Sequence, residues 1–388
     1  MRLSIAIALA LCSFTAVAAQ PLRLAGAKDQ APSRLVALPA PSAQIERAPV
    51  SFSWKLDPAQ PLAASAPYVA QSREYWETVD AAALDRGVQL KMSAPGSLIR
   101  ISPAQGARAL RSDELQVSGS RGAATMDNIA GSEQLTKAGM DVQAGTVIAK
   151  LGQQEGAGTY TVRVPKAEGQ YLVHVFEPQS SDVLRAGTDR DHALAGSSLR
   201  FDVDFSRAGK LASTVQAEGM LVAPDGRSWP VALDASGNGG LAANVKLPTK
   251  VGNTPGLWEL QVFANADGIQ RDARTAFAVA APTARFNGVF AFNAKTMRMA
   301  LPVQTGSTGR YEARGTLFAT AADGVMRPVS EAHSAAWIKR GNGMLVLQFD
   351  RAHLPQGYGA PFEVRQLELN DQSRMAQLES RERAGIAR

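Results

Sequence analysis

The sequence predicts an all-β protein: tandem immunoglobulin-like β-sandwiches preceded by a β-rich N-terminal domain that carries one main α-helix. Three observations carry this. Leu199, Phe201, Val203 and Phe205 alternate with Arg200, Asp202 and Asp204, the period of two of a half-buried strand. Asp-Gly pairs stand beside apolar runs at 225–226, 267–268 and 323–324, where glycine supplies the positive φ of a tight turn. Between Ser197 and Pro282 no helix-period stretch interrupts the short runs, which argues against a parallel α/β sheet.

The central stretch reads strand by strand. Gly219–Ala223 runs into the turn Pro224-Asp225-Gly226, and Trp229, Val231 and Leu233 alternate on its far side. Pro230 lacks the N–H that a ladder needs, which places that strand at a sheet edge. Leu241, Ala243, Val245 and Leu247 form the next strand. Trp258, Leu260 and Val262 face one way and Glu259 and Gln261 the other; Thr275, Phe277 and Val279 follow the turn at Asp267-Gly268. Six strands at sandwich spacing result, with Trp258 expected between the sheets.

The chain has 388 residues. Met1–Ala19 has one basic residue, Arg2, then the apolar run Leu3–Leu11 and the small residues Ala16-Val17-Ala18-Ala19, the pattern of a secretory signal peptide. The run is too short for a permanent membrane anchor. Leu11 stands where a lipidation signal places a small residue before Cys12. Cys12 is the only cysteine, so a processed chain has no disulfide and no catalytic thiol. The formal charge of +6 falls to +5 without Arg2. The basic residues are dispersed, without a polybasic block or an aromatic-interleaved stripe, so nucleic acid is a poor partner. No later apolar run is long enough to cross a bilayer.

Residues 20–67 are rich in Pro and Ala and read as an extended arm laid over the first domain or as a partly disordered leader; only Val50–Trp54 looks like a strand. The weighed alternative is a recognition segment. Residues 68–185 read as the N-terminal domain. Ser72–Arg86 is its expected helix, capped by Ser72, ended by Gly87, with Tyr75, Trp76, Val79, Ala83 and Leu84 as its apolar stripe. A second short helix is expected at Ser132–Ala138. Leu98–Ile101, Leu115–Val117, Val147–Ala149, Tyr160–Val164 and Tyr171–Val175 supply strands. A sandwich at 186–282 and a C-terminal sandwich at 283–388 follow. In the latter Met297, Met299 and Leu301 alternate, Met344–Phe349 is expected as a central strand, and the apolar phase slips between Val364 and Leu367, the mark of a β-bulge. The charged tail from Asp371 is expected to fray. Gly-x-aromatic recurs at Gly158–Tyr160, Gly169–Tyr171, Gly256–Trp258 and Gly309–Tyr311, and only the Trp258 copy stands in a clear strand order. A tyrosine so placed bonds back to the preceding corner in immunoglobulin-like sandwiches.

Ser72-Arg73-Glu74-Tyr75-Trp76, Ser93–Pro103 and Leu367–Arg374 resemble a family of uncharacterised secreted proteins of Gram-negative bacteria, a domain of unknown function. The resemblance implies an N-terminal domain followed by immunoglobulin-like domains, and export; some members resemble type II secretion substrates. It brings no activity and no site residue.

The chemistry-bearing residues form no motif. Ser118-Gly119-Ser120-Arg121-Gly122 is the nearest approach to a nucleophile elbow and lacks its first glycine. His174, His192, His333 and His353 are far apart in sequence, and with no cysteine beside them no metal site is assigned. Asp189, Asp191 and His192, near Asp202 and Asp204, were weighed as calcium ligands against an ordinary solvated loop, and the loop is favoured. No catalytic or metal-ligating residue is named, the binding residues are unknown, and no cofactor is expected. The expected function is an exported, non-catalytic binding or interaction protein with a protein or glycan partner in the envelope or outside the cell. Its anchors are expected on the face bearing Tyr75 or on loops at the sandwich ends. The alternatives are a secreted hydrolase with its site in the N-terminal domain and a purely structural envelope protein.

Overall fold

The computed structural model describes residues 18–62, 66–252 and 254–387. The expected leader, with Cys12, lies outside the described residues up to position 17. The described chain is nearly all β, with two six-residue α-helices, Ala81–Arg86 and Ser132–Lys137. It divides into two compact units, one of residues 66–279 and one of residues 1–65 together with 280–388.

The unit of 66–279 holds two sandwiches. In the first, a five-stranded sheet runs in the order Glu74–Asp80, Gln170–Phe176, Leu98–Pro103, Val147–Leu151 and Met126–Gly131. Its partner sheet is Val88–Met92, Gly158–Arg163, Gln116–Gly119 and Gly122–Ala123. Tyr75, Leu90, Ile99, Ile101, Val162 and Val173 belong to the buried core of this sandwich.

The helix expected at Ser72–Arg86 is thereby corrected. Val69–Ser72 and Glu74–Asp80 are strands, and only Ala81–Arg86 is helical. Tyr75 and Val79 are buried and Glu77 between them points the same way, half exposed. That polar residue on the inward face hid the period of two, and Tyr, Trp, Thr and Val are all strand formers. The helix is capped by Asp80, which accepts from the Ala83 N–H, and ends at Gly87 at φ 110°.

The second sandwich pairs Asp234–Ala235, Leu241–Lys246, Ser198–Arg207, Val183–Thr188 and Val69–Ser72 in one sheet, with Lys210–Leu211 also on Ser198–Arg207. The other sheet is His192–Leu194, Ile269–Ala280, Trp258–Ala266, Gln216–Val222 and Ser228–Val231. Val183–Thr188 runs through the expected boundary at 185/186. Leu199, Phe201, Val203 and Phe205 are all buried, and Pro230 lies on an edge strand. Asp267 and Gly268 both have positive φ, 51° and 83°, the requirement of a tight two-residue hairpin. Trp258 is 2% exposed and stacks on Trp229 at 5.6 Å and 11°.

A buried ionic cluster joins the two sandwiches of this unit. Glu177 follows a strand of the first and Arg271 lies on a strand of the second; both side chains are fully buried, with Nη2 and Oε2 2.5 Å apart. Ser93 and Ser180 hydroxyls lie 2.8 and 2.9 Å from the same Nη2, and Arg271 Nε donates to Asp182 O at 3.0 Å. Glu177 Oε1 accepts from the Ser93 and Ala94 N–H groups at 2.6 and 3.1 Å. A buried pair with this many partners is safe; losing one member costs roughly 3–5 kcal/mol. Beside it Asp272 accepts from the Trp76 N–H at 2.9 Å.

The other unit is a sandwich built from both ends of the sequence. One sheet holds Gln20–Pro21, Val289–Asn293, Arg298–Thr305 and Ala284–Phe286, with Gly341–Gln348 on the other edge of Arg298–Thr305. The other runs Val50–Lys55, Met326–Ile338, Gly309–Thr320, Gly359–Asp371 and Ala376–Ala387. Met299, Leu301, Leu317, Leu345, Leu347 and Leu369 are buried. The arm expected over the first domain therefore pairs with the C-terminal sandwich. Val50–Lys55 joins Met326–Ile338, Gln30 bridges Ser380, and Arg310 donates to Glu46 O and Ala48 O at 2.8 Å each.

Two further expectations are corrected here. Met344–Phe349 belongs to an edge strand, because only its alternate residues Leu345, Leu347 and Phe349 are buried while Met344 is exposed. The tail does not fray. Ala376–Ala387 is a twelve-residue strand whose charges are matched: Arg383 and Arg365 hold buried Glu363 at 2.7 Å each, and Arg381 holds buried Glu379 at 2.6 Å. The bulge between Val364 and Leu367 is present: Gln366 and Leu367 sit opposite Gly315, and Gln366 takes φ 49°.

The Gly-x-aromatic repeat is a real device in its three tyrosine copies, beyond the Trp258 copy singled out from sequence. Tyr160 Oη reaches Gly156 O and Tyr311 Oη reaches Ser307 O, each at 2.8 Å. Tyr171 Oη lies 3.0 Å from Glu168 O. Burial pushes the Tyr311 hydroxyl up to about 12, so it stays a donor.

Two outcomes test this architecture. Trp258→Ala in the full chain, emptying a buried indole site, costs roughly 3–5 kcal/mol in a denaturant melt; an unchanged melt overturns the strand phase. Burial pushes the Asp272 carboxyl up to about 6. A raised value means the fold favours the neutral acid, so this contribution is complete below the ordinary carboxyl range and is lost as pH rises through 6. Asp272→Asn, which keeps an acceptor for Trp76, therefore raises Tm relative to the parent at pH 7–8 and loses that advantage by pH 4.

Candidate functional site

The site begins with a strand of reversed polarity. In Val50–Lys55, Val50, Phe52 and Trp54 share one side and Ser51 and Ser53 the other. Ordinary sandwich strands bury the apolar side. Here Ser51 Oγ donates to Val346 O at 3.4 Å and Ser53 Oγ accepts from the Asp350 N–H at 3.2 Å, so the serines face the other sheet. Val50, Phe52 and Trp54 remain 41, 48 and 42% exposed. Exposed large apolar groups in a row are the informative exception to burial.

Register sets what lies beside them. Phe52 is opposite His333, Trp54 opposite Glu331 and Val50 opposite Ala335. One strand further, His333 is opposite Arg314 and Ala335 opposite Glu312; beyond that, Arg314 faces Glu368. Direct cross-strand neighbours on one face are close enough to touch. The His333 ring stacks on Phe52 at 5.0 Å and 5°, and Trp54 lies 4.8 Å away at 34°. His333 Nδ1 is 2.6 Å from Glu312 Oε1 and Nε2 is 3.1 Å from Glu331 Oε1. Arg314 Nη2 meets Glu368 Oε1 at 2.7 Å, and Gln372 donates to Glu312 Oε2 at 3.1 Å. The face thus carries Glu312, Glu331 and Glu368 together with Arg310, Arg314 and the His333 ring.

This arrangement suits contact and not metal chemistry. Glu312 and Glu331 sit at opposite nitrogens of one ring, so their oxygens do not converge on a common centre. Among the described residues no group of three His, Cys, Asp or Glu side chains is placed to hold a metal ion. Elsewhere, the residues weighed as calcium ligands are otherwise engaged. Asp189 pairs with Arg190 at 2.7 Å, Asp191 accepts from the Tyr68 N–H at 3.1 Å, and Asp202 pairs with Arg200 at 2.7 Å.

In the first sandwich, Gly119–Ala123 and Gln154–Tyr160 line a cleft of about 300 Å³ that takes in Ser120, the serine of the near-miss elbow. Arg121 there donates to Gln154 O at 3.0 Å and pairs with Glu155 at 3.5 Å. The only histidine of residues 68–185, His174, is on the opposite sheet, 2.9 Å from Glu74. The structure does not bring serine and imidazole together. Tyr75, expected at an exposed anchor face, is 2% exposed and belongs to the core.

Sequence reading found Val50–Trp54 as a strand and missed its partners. The available signal was two aromatic residues at alternate positions in a segment too poor in other apolar residues to build a core. Nothing local to His333 connects it to them.

No helix among the described residues is long and apolar enough to cross a membrane. No curated protein matches the chain. A solved DUF4785-family protein from Legionella pneumophila is similar at a TM-score of 0.69 and 18% identity, covering 92% of this chain and 98% of that one, which shows a shared fold. Escherichia coli alpha-2-macroglobulin is a far weaker match, with a TM-score of 0.29 and 14% identity over 83% of this chain and 20% of that one. Residues 41–177 match the N-terminal domain, and residues 283–386 the C-terminal domain, of the domain of unknown function DUF4785. Those matches take in well over half of the sequence, and the chain belongs to the DUF4785 family.

Proposed function

We propose that this chain is an exported, non-catalytic binding protein that meets a protein or glycan partner in the envelope or outside a Gram-negative cell. One observation carries the reading: the strand Val50–Lys55 turns its apolar side outward, on a face with Glu312, Glu331 and His333 beside it. Stacking on His333 attaches the strand and still leaves nearly half of Phe52 and Trp54 in solvent. Tryptophan and other aromatic side chains on such a face are the usual energetic centres of an interface. Export is supported by the Met1–Ala19 pattern and by the single cysteine falling inside it.

The test compares the immobilised chain from Gln20 onward with its Phe52→Ala/Trp54→Ala form, against envelope extract and a glycan array. The parent retains a partner on one arm, and the double variant loses at least about tenfold of that affinity, some 1.4 kcal/mol. Losing two exposed cross-strand contacts costs stability only about 1–2 kcal/mol, so the variant stays folded in the same assay. Equal retention by both forms, or none by the parent on either arm, overturns the reading.

A further inference from the structure

We infer that the ligand of this face is an arginine side chain presented by a protein partner, seated on Trp54 and paired with Glu331. This rests on the reading above and narrows it. The molecule's other indoles show how it surrounds a tryptophan. Trp258 is buried. Trp76, Trp229 and Trp337 are half-buried, and each has a guanidinium over its ring: Arg274 at 4.5 Å, Arg227 at 5.5 Å and Arg47 at 4.7 Å. Two of these cations also have carboxylates at hand. Arg227 binds Asp225 at 2.8 Å, and Arg274 stands two residues along the same strand face from Asp272. At Trp229 the full set is present: an indole face, a carboxylate beside it and an arginine on both.

Trp54 has the first two parts. It is the most exposed of the five indoles, and its direct cross-strand neighbour is Glu331. The contact to His333 uses one oxygen of Glu331 and leaves the second open. Among the described residues no guanidinium lies over Trp54. The guanidiniums nearest on this face are already engaged: Arg314 is held by Glu368, and Arg310 by Gln372 and the Glu46 and Ala48 carbonyls. An incoming arginine gains the ring quadrupole and the second oxygen of Glu331 together.

The experiment titrates the chain from Gln20 onward with a seven-residue capped peptide of alternating threonine and arginine, followed by calorimetry in low salt. Parallel arms use the same peptide with citrulline for arginine, which keeps the shape and removes the charge, and the neutral oligosaccharides chitohexaose and cellohexaose. The arginine peptide binds with Kd below about 1 mM, the citrulline peptide at least about tenfold more weakly, and the affinity falls as salt is raised. Glu331→Gln, on a partly exposed side chain, weakens the arginine peptide about fivefold or more with Tm unchanged, and Trp54→Leu does the same.

No binding at 1 mM, equal binding of the two peptides, an unaffected Glu331→Gln, or Trp54-dependent binding of an oligosaccharide instead each overturns the inference. If the arginine peptide fails while the envelope or glycan partner is still lost with Phe52 and Trp54, the binding surface stands and its arginine ligand does not. If no partner depends on Phe52 and Trp54 in the first assay, the surface itself is wrong.

Discussion

The pairing of Val50–Lys55 with Met326–Ile338 is the contact on which the candidate site depends. It adds a strand from near the start of the sequence to a sheet whose other strands come from the last hundred or so residues. Without it, His333 has no aromatic neighbours and Phe52 and Trp54 have no carboxylates. The pairing is reinforced along the arm. Arg374 donates to Pro39 O at 2.8 Å, Arg381 donates to Arg23 O at 2.6 Å, and the Leu38 N–H donates to Ser307 Oγ at 2.8 Å. Two of these are charged donors meeting backbone carbonyls and the third is a backbone donor meeting a hydroxyl, which is how a Pro- and Ala-rich segment with few apolar side chains is fixed to a sandwich.

The two units use charge for opposite ends. In the unit of 66–279 the strongest ion pair, Glu177 with Arg271, is excluded from water and surrounded by serine hydroxyls and backbone groups. Its role is positional, since a buried pair contributes little net stability while fixing geometry. On the outer face of the C-terminal sandwich the carboxylates paired with His333 and Arg314 are partly exposed and can be reached from outside. That difference is why the first cluster reads as a joint and the second as a contact surface.

How far the fold was legible depended on whether its signal was local. Alternation in Leu199–Phe205, the Asp-Gly turns, the edge position of Pro230 and the bulge at Gln366 are all written within a few residues. They describe the sandwiches well. Errors arose where one residue broke the pattern or where charge masked it. Glu77 on an inward face made Glu74–Asp80 read as a helix, and the arginines of Ala376–Ala387 made a paired strand read as a fraying tail. The site was less legible. Phe52 and Trp54 were visible as residues, but their meaning comes from Glu331, His333 and Glu312, and only the register of a distant pairing supplies those. The tyrosine corners were visible as a repeat, and their hydrogen bonds to Gly156 and Ser307 needed coordinates.

The split origin of the C-terminal sandwich also imposes a timetable. A ribosome delivers residues 20–55 early, and their partner strands emerge only when nearly the whole chain has been made. The unit of 66–279 has its complete set of strands in between and is free to form first. Until Met326–Ile338 exists, the arm has no sheet to join, and its outward aromatic side is as exposed as its serine side. Closing so long a loop is entropically slow compared with forming hairpins such as Gly309–Ile338. A chain that terminates before Met326 therefore leaves the arm without the strand it pairs with, so possession of the aromatic face reports that synthesis passed Met326–Ile338.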